Sequence, residues 1–217
     1  MHYAPGIDPC PLPFSLFKSC TVPRPIGWLS TISPPGLANL APYSQWPNLS
    51  FDPPLVMFAA NQYADGRRKH TVLNAEQTGW FVWNMATYDL REAVNISAME
   101  WPDGTDEFAH AGVTAIPCIA APGPRVAQSP AHFECKYLST HRPPGAPAHG
   151  WVEVVYGQVM HIHVDDAVIT PEGKLDVRKI RPLARLGYHE YTSVTEVFEM
   201  RIPGASGAAS DGLEGKS

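Results

Sequence analysis

The apolar positions of the chain fall into short runs that are separated by turn residues. The first clear pair of runs covers residues 26–33 and 37–43, with the sequence S-P-P-G at residues 33–36 between them. Apolar and β-branched residues on both sides of a Pro-Gly turn are typical of a β-hairpin. We therefore predict two antiparallel strands over residues 26–43.

The same pattern predicts more strands than helices in the rest of the chain. Strands are predicted over residues 55–60, 80–85, 113–119, 132–139, 151–164 and 194–202. The run at 55–60 has no polar position, so we expect it to be buried on both faces. Short helices are predicted over residues 71–79, 90–99 and 106–111, the first closed by Gly79 and the second capped by Thr87 or Asp89. The fold class is therefore mainly β with short helices.

Composition supports one globular β-rich domain. The 217 residues are 44% hydrophobic and 17% charged, which is enough apolar material for a core. The 23 prolines and 17 glycines are too many for a helical bundle and fit strands that are separated by turns.

Charge and hydropathy exclude several classes of partner. The net charge of -5 and the scattered basic residues disfavour a nucleic-acid partner. No apolar run approaches the ~20 residues that span a bilayer, and the amino terminus lacks a secretion signal. We expect a cytoplasmic protein without a membrane partner. Its four cysteines form no C-x-x-C pair, so we expect reduced thiols at Cys10, Cys20, Cys118 and Cys135.

Two segments carry candidate binding chemistry. Short polar side chains interrupt the apolar hairpin at Ser30, Thr31, Asn39 and Ser44, and buried hydroxyls and amides need partners, so a polar ligand is expected there. The second segment is the start of the helix at 71–79.

Arg67, Lys69 and Thr71 lie at that helix start. Unpaired backbone amides and the helix dipole favour an anion at such a position, so these residues can form a phosphate clamp. The alternative is a solvated basic loop in which Thr71 serves only as a helix cap.

Other familiar motifs give weaker signals or are absent. His161 and His163 share one face of a predicted strand, but the sequence offers no third ligand, so we predict an outer-wall pair and no metal site. His189 near the end could approach a cofactor from a second subunit. There is no G-x-S-x-G elbow, no P-loop and no G-x-G-x-x-G motif, which excludes a Rossmann site for a nicotinamide cofactor.

The order of the motifs carries a family resemblance over residues 20–202. The chain reads R-P-I-G-W-L-S-T, G-L-A-N-L-A-P-Y-S, D-P-P-L-V-M-F, R-K-H-T-V-L-N, T-G-W-F-V-W-N-M, H-F-E-C-K-Y and R-L-G-Y-H-E-Y. It resembles the flavin reductase-like family of FMN-binding split barrels. The resemblance implies a split β-barrel with a six-stranded antiparallel core. Outside it we predict a proline-punctuated N-terminal extension at 1–19 and, from its Gly, Ala and Ser content, a disordered tail at 203–217.

The resemblance also implies a homodimer that holds FMN at the subunit interface. Lys69 and Thr71 match the family residues that contact the FMN phosphate, and Arg24 either pairs with phosphate or orients its loop. His70 replaces the Asp that many relatives have and faces either the flavin or solvent. The complete set of expected FMN-binding residues is Arg24, Ser30, Thr31, Asn39, Leu40, Ala41, Tyr43, Ser44, Arg67, Lys69, His70 and Thr71. Trp28 or Trp46 could pack near the ring or belong to the core.

The activity that the resemblance implies is a flavin reductase. NADH or NADPH would give hydride to the flavin N5, and the electrons would pass to a partner oxygenase or a small acceptor. Hydride transfer to the flavin needs no protein acid or base, so we expect no catalytic side chain. The alternatives are a non-catalytic FMN-binding electron carrier and a barrel that no longer binds flavin.

Overall fold

The computed structural model describes residues 1–144, 151–201 and 203. The predicted tail lies outside the described residues except for Pro203, and the connection at 140–150 is described only up to residue 144. Twelve strands are present in the described part: β1 (Arg24–Pro25), β2 (Gly27–Ile32), β3 (Ala38–Tyr43), β4 (Asn48–Phe51), β5 (Pro54–Asn61), β6 (Trp80–Met85), β7 (Ala115–Ile116), β8 (Arg125–Val126), β9 (Ala131–His141), β10 (Val152–Val164), β11 (Leu183–Arg185) and β12 (Tyr191–Ser193). Its α-helices are α1 (Phe17–Cys20), α2 (His70–Thr78), α3 (Arg91–Ile96), α4 (Glu107–Ala111) and α5 (Val177–Ile180).

A seven-stranded antiparallel sheet forms the framework, in the order β3-β2-β6-β9-β10-β5-β4. The mainly-β prediction is confirmed, since 37% of residues are in strands and 17% in helices. Six of the seven strands correspond to predicted apolar runs. The seventh, β4, was not expected, because its four residues lie between Pro47 and Pro53 and form no continuous apolar run.

The predicted hairpin is present as β2 and β3. Gly36 adopts a positive φ of 95°, and its N–H donates to the Ser33 carbonyl at 2.8 Å. Glycine populates this left-handed region without steric cost, which explains its place at the end of the turn. The register pairs Gly27 with Tyr43 and Thr31 with Asn39.

Three strand predictions need correction. Residues 194–201 are not a strand, because the chain pairs with β11 only through Tyr191–Ser193. In the run at 113–119 only β7 forms a ladder, and Pro117, which has no N–H to donate, follows it directly. The run at 55–60 is buried on one face, since Val56, Phe58 and Ala60 are buried while the residues between them are partly exposed.

The helix predictions hold with shifted ends. Residues 90–99 contain α3, which is preceded by a 3-10 turn at Tyr88–Leu90, and neither Thr87 nor Asp89 caps it through a side chain in the described part of the chain. Asp106 does cap α4, because its carboxylate accepts from the Ala109 N–H at 3.1 Å. No helix among the described residues is long and apolar enough to cross a membrane.

Two apolar clusters fill the interior. One contains Trp46, Phe58 and Phe81 between the sheet and α2, and the other contains Trp28 and Phe108 beside α3 and α4. Trp28 is fully buried and donates its indole N–H to Ser97 at 2.9 Å, while Trp46 stacks on Trp83 with ring centroids 5.9 Å apart. Both tryptophans belong to the core.

Gly157 in β10 is needed where the sheet meets the Phe81 ring. A Cβ at this position would lie 2.6 Å from Phe81 Cε1, and Phe81 is fully buried. We predict that Gly157→Ala lowers the free energy of unfolding by about 1–3 kcal/mol, as overpacking does in closed cores. Urea denaturation measures the effect, and Gln158→Ala on the other face of β10 serves as the control. Equal stability of Gly157→Ala and the wild type would contradict this packing.

Candidate functional site

Two adjoining cavities lie where β3 meets the start of α2. The helix cavity has a volume of about 280 Å³ and is formed by Asn39, Ala41, Pro42, Tyr43, Tyr63, Lys69, His70, Thr71, Glu107 and residues 97–101. The basic cavity has a volume of about 570 Å³ and is formed by Ser15, Lys18, Ser19, Arg24, Lys69, Arg185, Tyr188 and residues 42–45 and 59–61. Both contain Pro42, Tyr43 and Lys69, so the two cavities meet along these residues.

The first turn of α2 opens into the helix cavity. Lys69 is the extended residue before the helix, with φ −68° and ψ 137°, and its carbonyl accepts from the N–H groups of Val72 and Leu73. In the described part of the chain no side chain caps this end, so Thr71 is not the cap. The amides of His70 and Thr71 precede these bonded positions and are available to an acceptor in the cavity.

Lys69 brings a cation to the same place. Its ammonium lies 3.2 Å from the centroid of the Tyr63 ring, a cation–π contact. Burial lowers the pKa of Lys69, because the charged form loses water. An anion in the cavity would counter this loss.

Two buried hydrogen bonds fix α2 against the hairpin. Asn39 donates its amide to Thr71 Oγ1 at 3.1 Å, and Asn74 donates to Thr31 Oγ1 at 3.1 Å. All four side chains are less than 10% exposed. Burial also raises the pKa of Tyr43, so its phenol remains a neutral hydrogen-bonding group.

The predicted hairpin residues divide into two groups. Asn39, Ala41 and Tyr43 line the helix cavity, and Ser44 lines the basic cavity. The others bond to the protein: Ser30 donates to the Pro124 carbonyl at 2.6 Å, Thr31 accepts from Asn74, and Leu40 contributes its backbone N–H to Glu107.

The basic residues predicted near the helix start do not all lie in a cavity. Lys69 and His70 line the helix cavity, and His70 Nε2 lies 3.1 Å from Asp103 Oδ1. Arg67 is exposed, lines neither cavity, and pairs with Asp65 at 2.7 Å and Glu100 at 2.9 Å.

Arg24 lines the basic cavity and has three carbonyl partners. Its guanidinium donates to the carbonyls of Lys18, Thr21 and Leu186, the last at 2.8 Å. This contact set joins the chain before β1 to the segment after β11.

An ion-pair network connects Arg68, which precedes α2, to neighbouring elements. Arg68 bridges Glu76 at 2.7 Å and Glu153 at 2.8 Å, and Arg142 bridges the same two carboxylates at 3.2 and 2.8 Å. Glu153 is 1% exposed, so its charge depends on both arginines. The network joins α2, β10 and the chain after β9.

Glu107 lines the helix cavity but was not among the residues predicted for the site. One of its oxygens accepts from the Leu40 N–H at 2.5 Å. Burial raises the pKa of this carboxyl from 4.5 to about 7. Its position depends on α4 packing against β3, a contact between residues far apart in the chain.

The histidines noted in the sequence lie elsewhere. His163 contacts the buried Glu134 at 2.6 Å, whereas His189 lines a separate cavity of about 450 Å³ beside Arg91 and Tyr191. Among the residues that the structure describes, no three His, Cys, Asp or Glu side chains are arranged to hold a metal ion. All four cysteines are unpaired.

Comparisons with known proteins agree with this architecture. Residues 19–189 match the model of the flavin reductase like domain. An uncharacterized protein of Aquifex aeolicus is 33% identical over 87% of this chain and 93% of its own length.

Two solved structures extend the comparison. Nitrilotriacetate monooxygenase component B from Bacillus cereus superposes with a TM-score of 0.84 at 25% identity, covering 92% of this chain and 98% of its own. A candidate flavin reductase from Shewanella frigidimarina, described as having a split barrel domain, superposes with a TM-score of 0.74 at 22% identity, covering 88% and 90%. The fold is therefore the split barrel that the sequence predicted.

The raised pKa of Glu107 predicts a pH-dependent stability. The folded state keeps a proton that the unfolded chain releases near pH 4.5, so stability falls as the pH rises from about 4.5 to about 7. The fall is smaller than the ~1.4 kcal/mol per pH unit of one fully coupled proton, because the side chain is partly hydrated. We expect Glu107→Gln to remove this fall in urea titrations across that range, and the exposed Glu92→Gln to retain it. An unchanged pH profile in Glu107→Gln would contradict the assignment.

Proposed function

Because the chain belongs to the flavin reductase-like family, we propose that it is an FMN-binding oxidoreductase that takes hydride from NADH or NADPH. One observation carries the proposal: the first turn of α2, Lys69 and the β3 residues Asn39 and Tyr43 meet in one cavity. An anionic group and a polar chain can be bound there side by side.

The donors present fit a flavin phosphate. Lys69 and the first-turn amides of α2 would hold the phosphate, with the Thr71 hydroxyl nearby. Glu107 lines the same cavity, and its raised pKa lessens the repulsion between its carboxyl and a bound anion. The basic cavity, with Ser44 and Tyr43, would receive the ring.

Bound FMN would supply the hydride acceptor, and the protein would supply orientation and charge. The side chains of both cavities bind and position the cofactor in this proposal. None is assigned a role in proton transfer.

The assembly and partners form part of the proposal. We infer a homodimer, which is supported by the exposed Leu49 and Phe51 of the edge strand β4. The name of the Bacillus cereus protein, a monooxygenase component, supports an oxygenase as the electron acceptor. The four unpaired cysteines support a cytoplasmic location.

A spectroscopic experiment tests the activity. Purified protein is mixed with FMN, freed of unbound flavin and titrated with NADH or NADPH without oxygen. Loss of the visible flavin bands on addition of nucleotide supports a reductase. A flavin-loaded protein that neither nucleotide bleaches is an electron carrier, and a protein that retains no flavin contradicts the cofactor assignment.

If Lys69 binds the FMN phosphate, its removal should weaken the binding of FMN but not that of riboflavin. We expect Lys69→Ala to weaken FMN binding by about tenfold, the value of one charge-assisted hydrogen bond. Riboflavin, which lacks the phosphate, should bind both proteins equally. Lys136→Ala is the control and should leave both affinities unchanged, because this exposed lysine lines neither cavity. Fluorescence titration measures the FMN and riboflavin affinities of each protein, and equal FMN binding by Lys69→Ala and wild type would contradict the clamp.

A further inference from the structure

The basic cavity contains more positive charge than one flavin phosphate requires. Lys18, Arg24, Lys69 and Arg185 line it, and no Asp or Glu is among its lining residues in the described part of the chain. This concentration occurs in a protein whose formal net charge is -5. Lys69 is shared with the helix cavity, whereas the other three cations line the basic cavity alone.

The two arginines among these three cations have neutral partners. Arg24 donates to main-chain carbonyls, and Arg185 donates to the Tyr191 hydroxyl and the Tyr188 carbonyl. Within the described chain none of the three forms an ion pair with a carboxylate. Carbonyl and hydroxyl dipoles orient a guanidinium but leave its charge in place. Arg24 Nε is also buried without a hydrogen-bond partner.

The neighbouring arginines behave differently. Arg67, Arg68 and Arg142 are each paired with two carboxylates. The charges of these three arginines are therefore compensated, whereas those of the basic cavity are not.

Close packing between two chain segments forms one wall of the basic cavity. The N-terminal segment, residues 14–19, packs on residues 185–188: Phe14 meets Tyr188 edge-on with centroids 5.3 Å apart. A Cβ on Gly187 would lie 2.8 Å from Ser19 Cβ, so only glycine allows this approach. Packing at this separation holds Lys18 and Arg185 on one wall.

We propose that Lys18, Arg24 and Arg185 form a subsite for the pyrophosphate of a reduced pyridine dinucleotide. The inference rests on the proposed function, in which FMN places its one phosphate at Lys69 and its uncharged oxidised ring in the basic cavity. Three cations then remain for a second anion, and a pyrophosphate carries two negative charges. Its binding at this wall would bring the nicotinamide half of the same molecule to the flavin.

The test measures nucleotide binding separately from turnover. FMN-loaded protein is titrated with ADP-ribose, which has the pyrophosphate but no nicotinamide, and KM is measured for NADH and NADPH. We expect Lys18→Ala to raise the ADP-ribose Kd and both KM values by about tenfold, and less at high salt. The Kd for FMN should change less than about twofold. Lys136→Ala, an exposed cation that lines neither cavity, should leave all these values unchanged.

A second pair of variants separates charge from structure. Arg185→Lys keeps the charge and should retain ADP-ribose binding. Arg185→Gln removes the charge and should raise the ADP-ribose Kd about as much as Lys18→Ala does. ADP-ribose that binds every variant as it binds the wild type, or fails to bind the wild type, would overturn the subsite. A larger loss of FMN than of ADP-ribose would also overturn it, because the cations would then hold the flavin's own phosphate. Wild type that binds ADP-ribose but is not reduced by NADH or NADPH would leave the subsite standing and refute the reductase activity.

Discussion

The site depends on the two hydrogen bonds that attach α2 to the hairpin. Thr71 with Asn39 and Asn74 with Thr31 are buried pairs, and a buried polar group without a partner costs about 1–3 kcal/mol. Any shift or rotation of α2 would break both pairs at once. The first turn of the helix, with Lys69, is therefore held at a fixed place beside β3. The ion pairs that Arg68 and Arg142 form with Glu76 and the buried Glu153 also restrain the chain next to this turn.

Local features of the sequence were predictable. The S-P-P-G turn and Gly79 fix the hairpin and the end of α2 through backbone preferences that need no distant partner. The cluster of Lys69, His70 and Thr71 at the helix start follows from the same short-range reasoning. Strands β4 and β12 were missed, because whether a short segment becomes a strand depends on a neighbour to pair with.

Distant contacts were not predictable. Glu107, Lys18 and Arg185 reach the cavities through the packing of α4, the N-terminal segment and β11, and no spacing in the sequence connects them to Lys69. The hairpin hydroxyls show a different limit. A buried hydroxyl needs a partner, but sequence does not tell a ligand from a protein group, and Ser30 and Thr31 are satisfied by Pro124, Asn84 and Asn74.

The N-terminal segment has a consequence for how relatives can diverge. The match to the family model begins at residue 19, so Phe14, Ser15 and Lys18 lie outside that match, although they complete a wall of the basic cavity. Exchanges in this stretch leave the seven-stranded sheet and its two apolar clusters untouched. The wall of the basic cavity can thus change in sequence between relatives while the barrel beside it stays the same.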